Sequence, residues 1–212
     1  MKDCAEVKKI KRECVERQRL TTCRRWNYSG VIVDRKLLQK RIRSIEAAAK
    51  NYPAVQLQQF SEEGDWITRR AERVPAVGAP GGSKLLKSLE LLAERLDLLT
   101  IDDVVHGDIK RANLIWDGLQ WVLIDWEPVL VWRTADGQTV FRVTRPHLHP
   151  DDFKNKSVSQ YTDKTGFYFF VRTMLNGWQN ITAAELQDVQ VEATKRTFLE
   201  LVRKISIVSN NK

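Results

Sequence analysis

The feature that most constrains this chain is a polar segment set between apolar ones. Residues 104–113 read VVHGDIKRAN, and two short apolar segments, 114–116 and 121–124, follow it. An Asp-Gly pair lies between these two segments, which is typical of a β-hairpin. The second segment runs directly into Asp125. The sequence therefore predicts a hairpin with acidic and amide side chains at its open end.

Three of these side chains carry oxygen atoms suited to phosphate chemistry. Asn113 follows Asp108 by five residues, and Asp125 follows Asn113 by twelve. Phosphoryl transfer requires a carboxylate that orients or deprotonates the attacking hydroxyl, and oxygen ligands that hold Mg²⁺ against the phosphates. The ordered set resembles the catalytic loop and metal-binding motif of the protein-kinase-like superfamily, H-x-D-x-x-x-x-N followed by the aspartate of D-F-G.

The resemblance implies an α+β fold with two lobes and a reduced N-terminal lobe. We expect residues 1–73 to form that lobe from a small sheet and one helix, residues 74–82 to form a hinge or linker, and residues 83–212 to form a helical C-terminal lobe with the catalytic loop and activation segment. Residues 75–82, PAVGAPGG, are the stretch densest in Pro and Gly, which favours a boundary there.

The resemblance also assigns roles and cofactors. ATP and Mg²⁺ are the expected cofactors. Asp108 would be the base or orienter, Asn113 and Asp125 would ligate Mg²⁺, and Lys110 would neutralise charge on the transferring phosphoryl group. The family also places an aspartate at the start of its central buried helix, where it accepts hydrogen bonds from the catalytic-loop backbone. Asp163 matches that position.

A lysine that clamps the α- and β-phosphates is expected near the start of the chain. Residues 5–11, AEVKKIK, resemble the strand that carries it, with Lys8 as the match and Lys9 and Lys11 as neighbouring alternatives. The family's glycine-rich loop should precede this strand, but the seven residues before Lys8 include no glycine. A misplaced start, a kinase without the loop and a catalytically silent pseudokinase all remain open.

The remaining residues of the expected N-terminal lobe predict a helix and a hairpin. Apolar residues recur at three- and four-residue spacing from 35 to 50, which predicts an amphipathic helix. The family would take the partner of the phosphate-binding lysine from this helix, and Glu46 is its only acidic residue. Segments 55–58 and 66–68 predict a hairpin. By resemblance, the backbone of the hinge residues would meet the adenine edge, and these are Ala71, Glu72 and Arg73.

The residues that the family places around its catalytic aspartate indicate which kind of acceptor to expect. Lys110 and Thr144, the latter six residues before Pro150, resemble Ser/Thr protein kinases, which implies transfer of the γ-phosphate to Ser or Thr of a protein substrate. Gly107 resembles small-molecule kinases of the aminoglycoside or choline type, as does Glu127 in place of the glycine of D-F-G. A small-molecule kinase and a pseudokinase binding module are therefore the alternatives.

The charge distribution indicates which partners to expect, and the cysteine content indicates the cellular compartment. Residues 1–50 hold 15 basic and 6 acidic side chains, which should attract phosphate-bearing partners. No nucleic-acid recognition motif accompanies this charge, so no nucleic-acid partner is expected. Three cysteines without a disulfide framework and the lack of a long apolar run favour a cytoplasmic protein with no membrane partner, although secretion without a cleavable signal would leave no trace.

Overall fold

The computed structural model describes residues 22–27, 31–63, 66–71, 76–177 and 180–210. Within these ranges, the strands are β1 (Thr22–Asn27), β2 (Val31–Ile32), β3 (Gln58–Glu63), β4 (Trp66–Ala71), β5 (Leu114–Trp116), β6 (Trp121–Leu123), β7 (Val131–Thr134) and β8 (Thr139–Phe141). The α-helices are α1 (Arg35–Asn51), α2 (Gly82–Ile101), α3 (Pro150–Lys154), α4 (Gln160–Asn176), α5 (Ala183–Lys195) and α6 (Phe198–Asn210). Short 3₁₀ turns cover Arg111–Asn113 and Arg145–His147.

The front of the molecule is a three-stranded antiparallel sheet with helix α1 against it. β4 is the central strand, flanked by β1 and β3. Helix α1 begins after Asp34, whose carboxylate accepts hydrogen bonds from the N–H groups of Lys36 and Leu37. Its apolar side chains Leu38 and Ile42 join a small core with residues of the sheet. The helix predicted from the spacing of apolar residues is confirmed.

The hairpin of β5 and β6 is hydrogen-bonded to the loop that joins α1 to β3. β5 and β6 pair antiparallel, as the Asp-Gly pair predicts. The Leu123 N–H donates to the Ala54 carbonyl at 2.5 Å, and the Gln56 N–H donates to the Leu123 carbonyl at 3.2 Å. Strands β2, β7 and β8 form a third small sheet in the order β2-β7-β8.

The helical part packs around α4, whose middle is enclosed by other elements. Phe167, Phe170 and Val171 of this helix are almost fully buried. They belong to the main core together with side chains of α1, α2, α6 and the hairpin. None of the helices in the described ranges combines the length and hydropathy needed to cross a bilayer. The mixture of small sheets and helices agrees with the expected α+β class.

Candidate active site

Helix α4 holds the polar loop in place through one carboxylate. Asp163, which is 4% exposed, accepts hydrogen bonds from the backbone N–H groups of His106 and Gly107, both at 2.7 Å. Gly107 has a φ of +89°, a conformation that glycine adopts without penalty. Burial raises the pKa of Asp163 to about 7. The structural role that the resemblance predicts for Asp163 is therefore present in these contacts.

The loop also lies against the backbone of α4 itself. A Cβ atom added at Gly166 would lie 2.2 Å from the carbonyl oxygen of Ile109, closer than any real contact. Glycine at this position thus allows the helix and the loop to approach each other. Together with Asp163, Gly166 determines how closely the loop packs against α4.

Asp108 lies at the centre of a cluster of donors. Its Oδ2 accepts from Lys110 Nζ at 2.5 Å, and its Oδ1 accepts from the Thr144 hydroxyl at 2.6 Å and from the Thr144 N–H at 3.1 Å. Lys110 Nζ also donates to Thr144 Oγ1 at 3.2 Å. Burial alone would raise the pKa of Asp108, but the hydrogen bonds from Lys110 and Thr144 outweigh it and hold the pKa below its usual range. Asp108 is therefore ionised at neutral pH.

Asn113 joins this cluster from the 3₁₀ turn. Its side chain is buried, and Nδ2 donates to the Asp108 carbonyl at 2.8 Å. Its backbone carbonyl accepts from the Ile124 N–H at 2.9 Å, which ties the turn to the end of the hairpin. With Nδ2 committed as a donor, Oδ1 is the atom that Asn113 could offer to a cation.

Asp125 follows the hairpin in a backbone conformation that is uncommon for its residue type. Its φ is +65°, and its side chain is 31% exposed. Arg69 of β4 donates from Nη2 to Asp125 Oδ1 at 3.1 Å, and the Arg69 side chain is only 9% exposed. The guanidinium also lies over the Trp26 ring, 5.4 Å from its centroid. The metal-binding aspartate expected from the sequence therefore faces an arginine of the front sheet.

His106 supports the loop as a neutral ring. Burial lowers the pKa of His106 to about 4. Its Nδ1 accepts from the Asp108 N–H at 3.1 Å, which leaves Nε2 as the donor to the Ile124 carbonyl at 2.9 Å. The ring packs edge-on against Trp126. The imidazole thus links the Asp108 segment to the Asp125 segment and is not placed as an acid or base.

Arg41 of α1, like Arg69, is a residue of this site that the sequence analysis missed. Its guanidinium donates to three backbone carbonyls, those of Glu127 at 3.1 Å, Val105 at 2.8 Å and His106 at 3.2 Å. Burial lowers the pKa of Arg41 to about 10, so the side chain stays charged at neutral pH. The one signal in the sequence was a basic residue within the apolar stripe of the helix, between Leu38 and Ile42.

The structure brings together only some of the residues expected from the sequence. Asp108, Lys110 and Asn113 form one hydrogen-bonded cluster, and Asp125 is linked to it through His106 and Ile124. Among the hinge residues, Ala71 ends β4, whereas Glu72 and Arg73 lie outside the described residues.

The expected phosphate clamp is not tested by the structure. Lys8 lies outside the described residues, as do Lys9 and Lys11. Glu46 is half-buried on α1, and no ion pair to it occurs within the described ranges. The pairing of Lys8 with Glu46 therefore stays a prediction.

The side chains present would suit Mg²⁺ bound with a nucleotide. Across the described ranges there is no group of three or more His, Cys, Asp and Glu side chains that could hold a metal alone. Mg²⁺ is commonly bound by one or two carboxylates together with substrate phosphates, because it retains waters and demands octahedral geometry. Asp125 and the Oδ1 atom of Asn113 match that kind of incomplete protein site.

Comparison with known proteins supports the fold. No protein-family model and no curated protein matches the sequence. The solved structure of the Cydia pomonella granulovirus kinase PK-1 is similar with a TM-score of 0.53 and 12% identity, over 82% of this chain and 67% of that one. At this identity, the likeness shows a kinase-like fold.

Proposed function

We propose that the chain is an ATP-dependent phosphotransferase that uses Mg²⁺ and transfers the γ-phosphate to a Ser or Thr hydroxyl of a protein. The observation that carries this proposal is the ionised carboxylate of Asp108, held by Lys110 and Thr144 on a loop that also presents Asn113. Phosphoryl transfer uses a carboxylate that is ionised at neutral pH, a nearby lysine and an amide oxygen that can bind a cation. The kinase-like fold supports it.

Each side chain then has a defined task. Asp108 accepts or orients the proton of the incoming hydroxyl, and Lys110, beside it, neutralises charge that develops on the phosphoryl oxygens. Asp125 and Asn113 hold Mg²⁺, which when bound screens the phosphate charge. His106 and Asp163 contact no substrate and stabilise the conformation of the loop that carries Asp108.

The charge near the site favours a protein acceptor over an amino sugar. Between residues 129 and 148, three arginines stand against a single acid, Asp136. A cationic acceptor such as an aminoglycoside would be repelled by that surface, whereas an acidic peptide would be attracted. Glu127 in the position of the D-F-G glycine favours the second candidate, a small-molecule kinase.

The test is phosphate transfer from labelled ATP with Mg²⁺. Wild-type protein is incubated with a peptide library and, separately, with aminoglycosides, choline and simple sugars, followed by phosphoamino-acid analysis of the labelled peptides and of the protein itself. We expect label on Ser or Thr. Label on a small molecule alone would establish the second candidate instead.

Asp108→Asn provides the first prediction and the matched control for this assay. Losing the carboxylate should reduce transfer by about 10²–10⁴, the range typical of general acid–base groups. The melting temperature should change little, because Asp163 and the hairpin position the loop. Undiminished transfer by this variant would remove Asp108 from the mechanism.

A further inference from the structure

A buried arginine lies directly behind the metal-binding aspartate. Arg69 is on the central strand of the front sheet, and its cross-strand neighbour on β3 is Phe60. Taking a guanidinium out of water is costly unless its charge is paired or used. The ion pair with Asp125, at 3.1 Å, provides such a pairing.

The two side chains of this ion pair differ in solvent exposure. The Arg69 side chain is 9% exposed, and that of Asp125 is 31% exposed. The carboxylate therefore opens towards solvent while the guanidinium remains against the protein, stacked over Trp26. An arginine held between a carboxylate and an indole face is fixed in position and orientation.

Mg²⁺ bound at Asp125 would draw nucleotide phosphates to the same place. Those phosphates would lie beside the Asp125 carboxylate, whose Oδ1 is 3.1 Å from Arg69 Nη2. Arginine suits this contact because its planar fork of donors matches two phosphate oxygens at once. The strand that carries Arg69 also leads into the residues expected to meet adenine, beginning with Ala71.

We propose that Arg69 is a phosphate-binding residue for the nucleotide and contacts its non-transferred phosphates, the task that the sequence resemblance gives to Lys8. This inference rests on the proposed function, since it requires a nucleotide with Mg²⁺ in the cleft. It places the phosphate-binding cation on the central strand of the front sheet, next to the metal-binding aspartate.

The experiment measures binding and not turnover. Adenosine, AMP and ADP are titrated with Mg²⁺ into wild type and Arg69→Met by calorimetry. In wild type we expect affinity to rise with the number of phosphates. In Arg69→Met, the affinity for ADP should fall roughly 10- to 100-fold, the loss expected for one hydrogen bond between charged groups. The affinity for adenosine should stay within twofold of wild type.

Two further variants make the result specific. Arg203→Met makes the same chemical change at an exposed position of α6 and should leave all three affinities unchanged. Arg69→Lys keeps a positive charge but loses the fork, so it should fall between wild type and Arg69→Met for ADP. It also provides the comparison if Arg69→Met does not fold.

The outcomes distinguish a failure of the role proposed for Arg69 from a failure of the proposed phosphotransferase function. Unchanged ADP affinity in the Arg69 variants would overturn the role of Arg69 and leave the proposed function standing. Tighter binding of ADP would also overturn it, because Arg69 would then be competing with Mg²⁺ for Asp125. A wild type that binds none of these nucleotides, nor ATP, with Mg²⁺ would overturn the proposed function itself.

Discussion

At the scale of single residues, the site depends on how four donors share the carboxylate of Asp108. Both oxygens of Asp108 are hydrogen-bonded, one to Lys110 and the other to Thr144. These bonds stabilise the ionised form, which is the form that can accept a proton from an acceptor hydroxyl. The pKa of Asp108 therefore depends on both neighbours.

Thr144→Val should change the pH dependence of transfer. The variant lacks the hydroxyl that donates to Asp108, so the pKa of Asp108 should rise from its lowered value. Because protonated Asp108 cannot act as a base, the acidic limb of the profile of kcat/KM against pH should move to higher pH. Labelled-ATP assays across the acidic range measure it.

Thr194→Val is the matched control for this change. Thr194 is exposed on α5, where its hydroxyl donates to the Val191 carbonyl. Its replacement should leave the acidic limb unchanged. An acidic limb of Thr144→Val that coincides with that of wild type would show that Asp108 does not control the profile.

The grouping of Asp108, Asn113 and Asp125 could be predicted from the sequence, whereas contacts between residues far apart in the chain could not. The order of Asp108, Asn113 and Asp125 was readable because the loop and hairpin are continuous in sequence. The contacts of Arg69 and Arg41 join positions 56 to 86 residues apart. No local spacing encodes such contacts, since they depend on how the sheet and helix pack against the loop.

At the scale of secondary-structure elements, α1 is joined to the catalytic loop by Arg41. Its three hydrogen bonds reach residues on both sides of the site, from Val105 and His106 to Glu127. A helix of the front part thus organises backbone of the loop and of the segment after Asp125. The orientation of α1 and the geometry of the site are coupled.

Arg41→Met should therefore reduce both stability and activity. Each buried carbonyl left without a donor costs about 1–3 kcal/mol, so the free energy of unfolding should fall measurably in urea titrations. Arg41→Lys should recover only part of it, because a lysine cannot reproduce the fork of donors. Transfer activity should fall in the same order.

Arg43→Met makes the same change on the exposed side of the same helix and should be close to neutral. Equal stability of the two methionine variants would contradict the coupling of α1 to the loop.

Gly166→Ala tests the contact between α4 and the catalytic loop. The added Cβ would meet the Ile109 carbonyl oxygen at 2.2 Å, and a backbone atom cannot move aside as a flexible side chain can. We expect a loss of about 1–3 kcal/mol in the free energy of unfolding, the usual cost of overpacking. Chemical denaturation of purified protein measures it.

Gly78→Ala is the control, because a Cβ at Gly78 would meet nothing within 4 Å. A fully stable Gly166→Ala with wild-type activity would show that the loop can shift without consequence.

The elements also show where the sequence prediction was less accurate. The first strand of the front hairpin was expected at 55–58 but occupies Gln58–Glu63. The backbone around Val55 pairs instead with Leu123, through a bridge to the catalytic hairpin. Residues 55–58 have strand-like composition, but their partner is 68 residues away, and that contact follows from the fold as a whole.

At the scale of the whole molecule, the fold places the front sheet and the catalytic hairpin on facing sides of one ion pair. Arg69 comes from the sheet and Asp125 follows the hairpin. A nucleotide bound there would contact both parts and should stabilise the folded chain by mass action, about 2.7 kcal/mol at a concentration 100 times its Kd.

Asp125→Ala should abolish most of the metal-dependent part of this stabilisation. In wild type, ATP with Mg²⁺ should raise the melting temperature more than ATP with a chelator. In the variant, the two shifts should be nearly equal, because the carboxylate that holds the cation is gone. Thermal melts of both proteins with ATP, in Mg²⁺ and in chelator, measure the difference.

Asp136→Ala removes an exposed carboxylate in the turn after β7 and should behave as wild type. Equal melting shifts of wild type in Mg²⁺ and in chelator would indicate a pseudokinase that binds nucleotide without metal.

Under the proposed function, the Thr144 hydroxyl would affect what happens to ATP when no acceptor is bound. It donates to Asp108 Oδ1, the oxygen that an acceptor hydroxyl or a water molecule would also have to approach if that oxygen took the proton. Water entering there would turn the enzyme into a futile ATPase. A resident hydroxyl hinders water, and an acceptor that brings further contacts can displace it. The same hydrogen bond that lowers the pKa of Asp108 would then also limit hydrolysis of ATP in the absence of an acceptor.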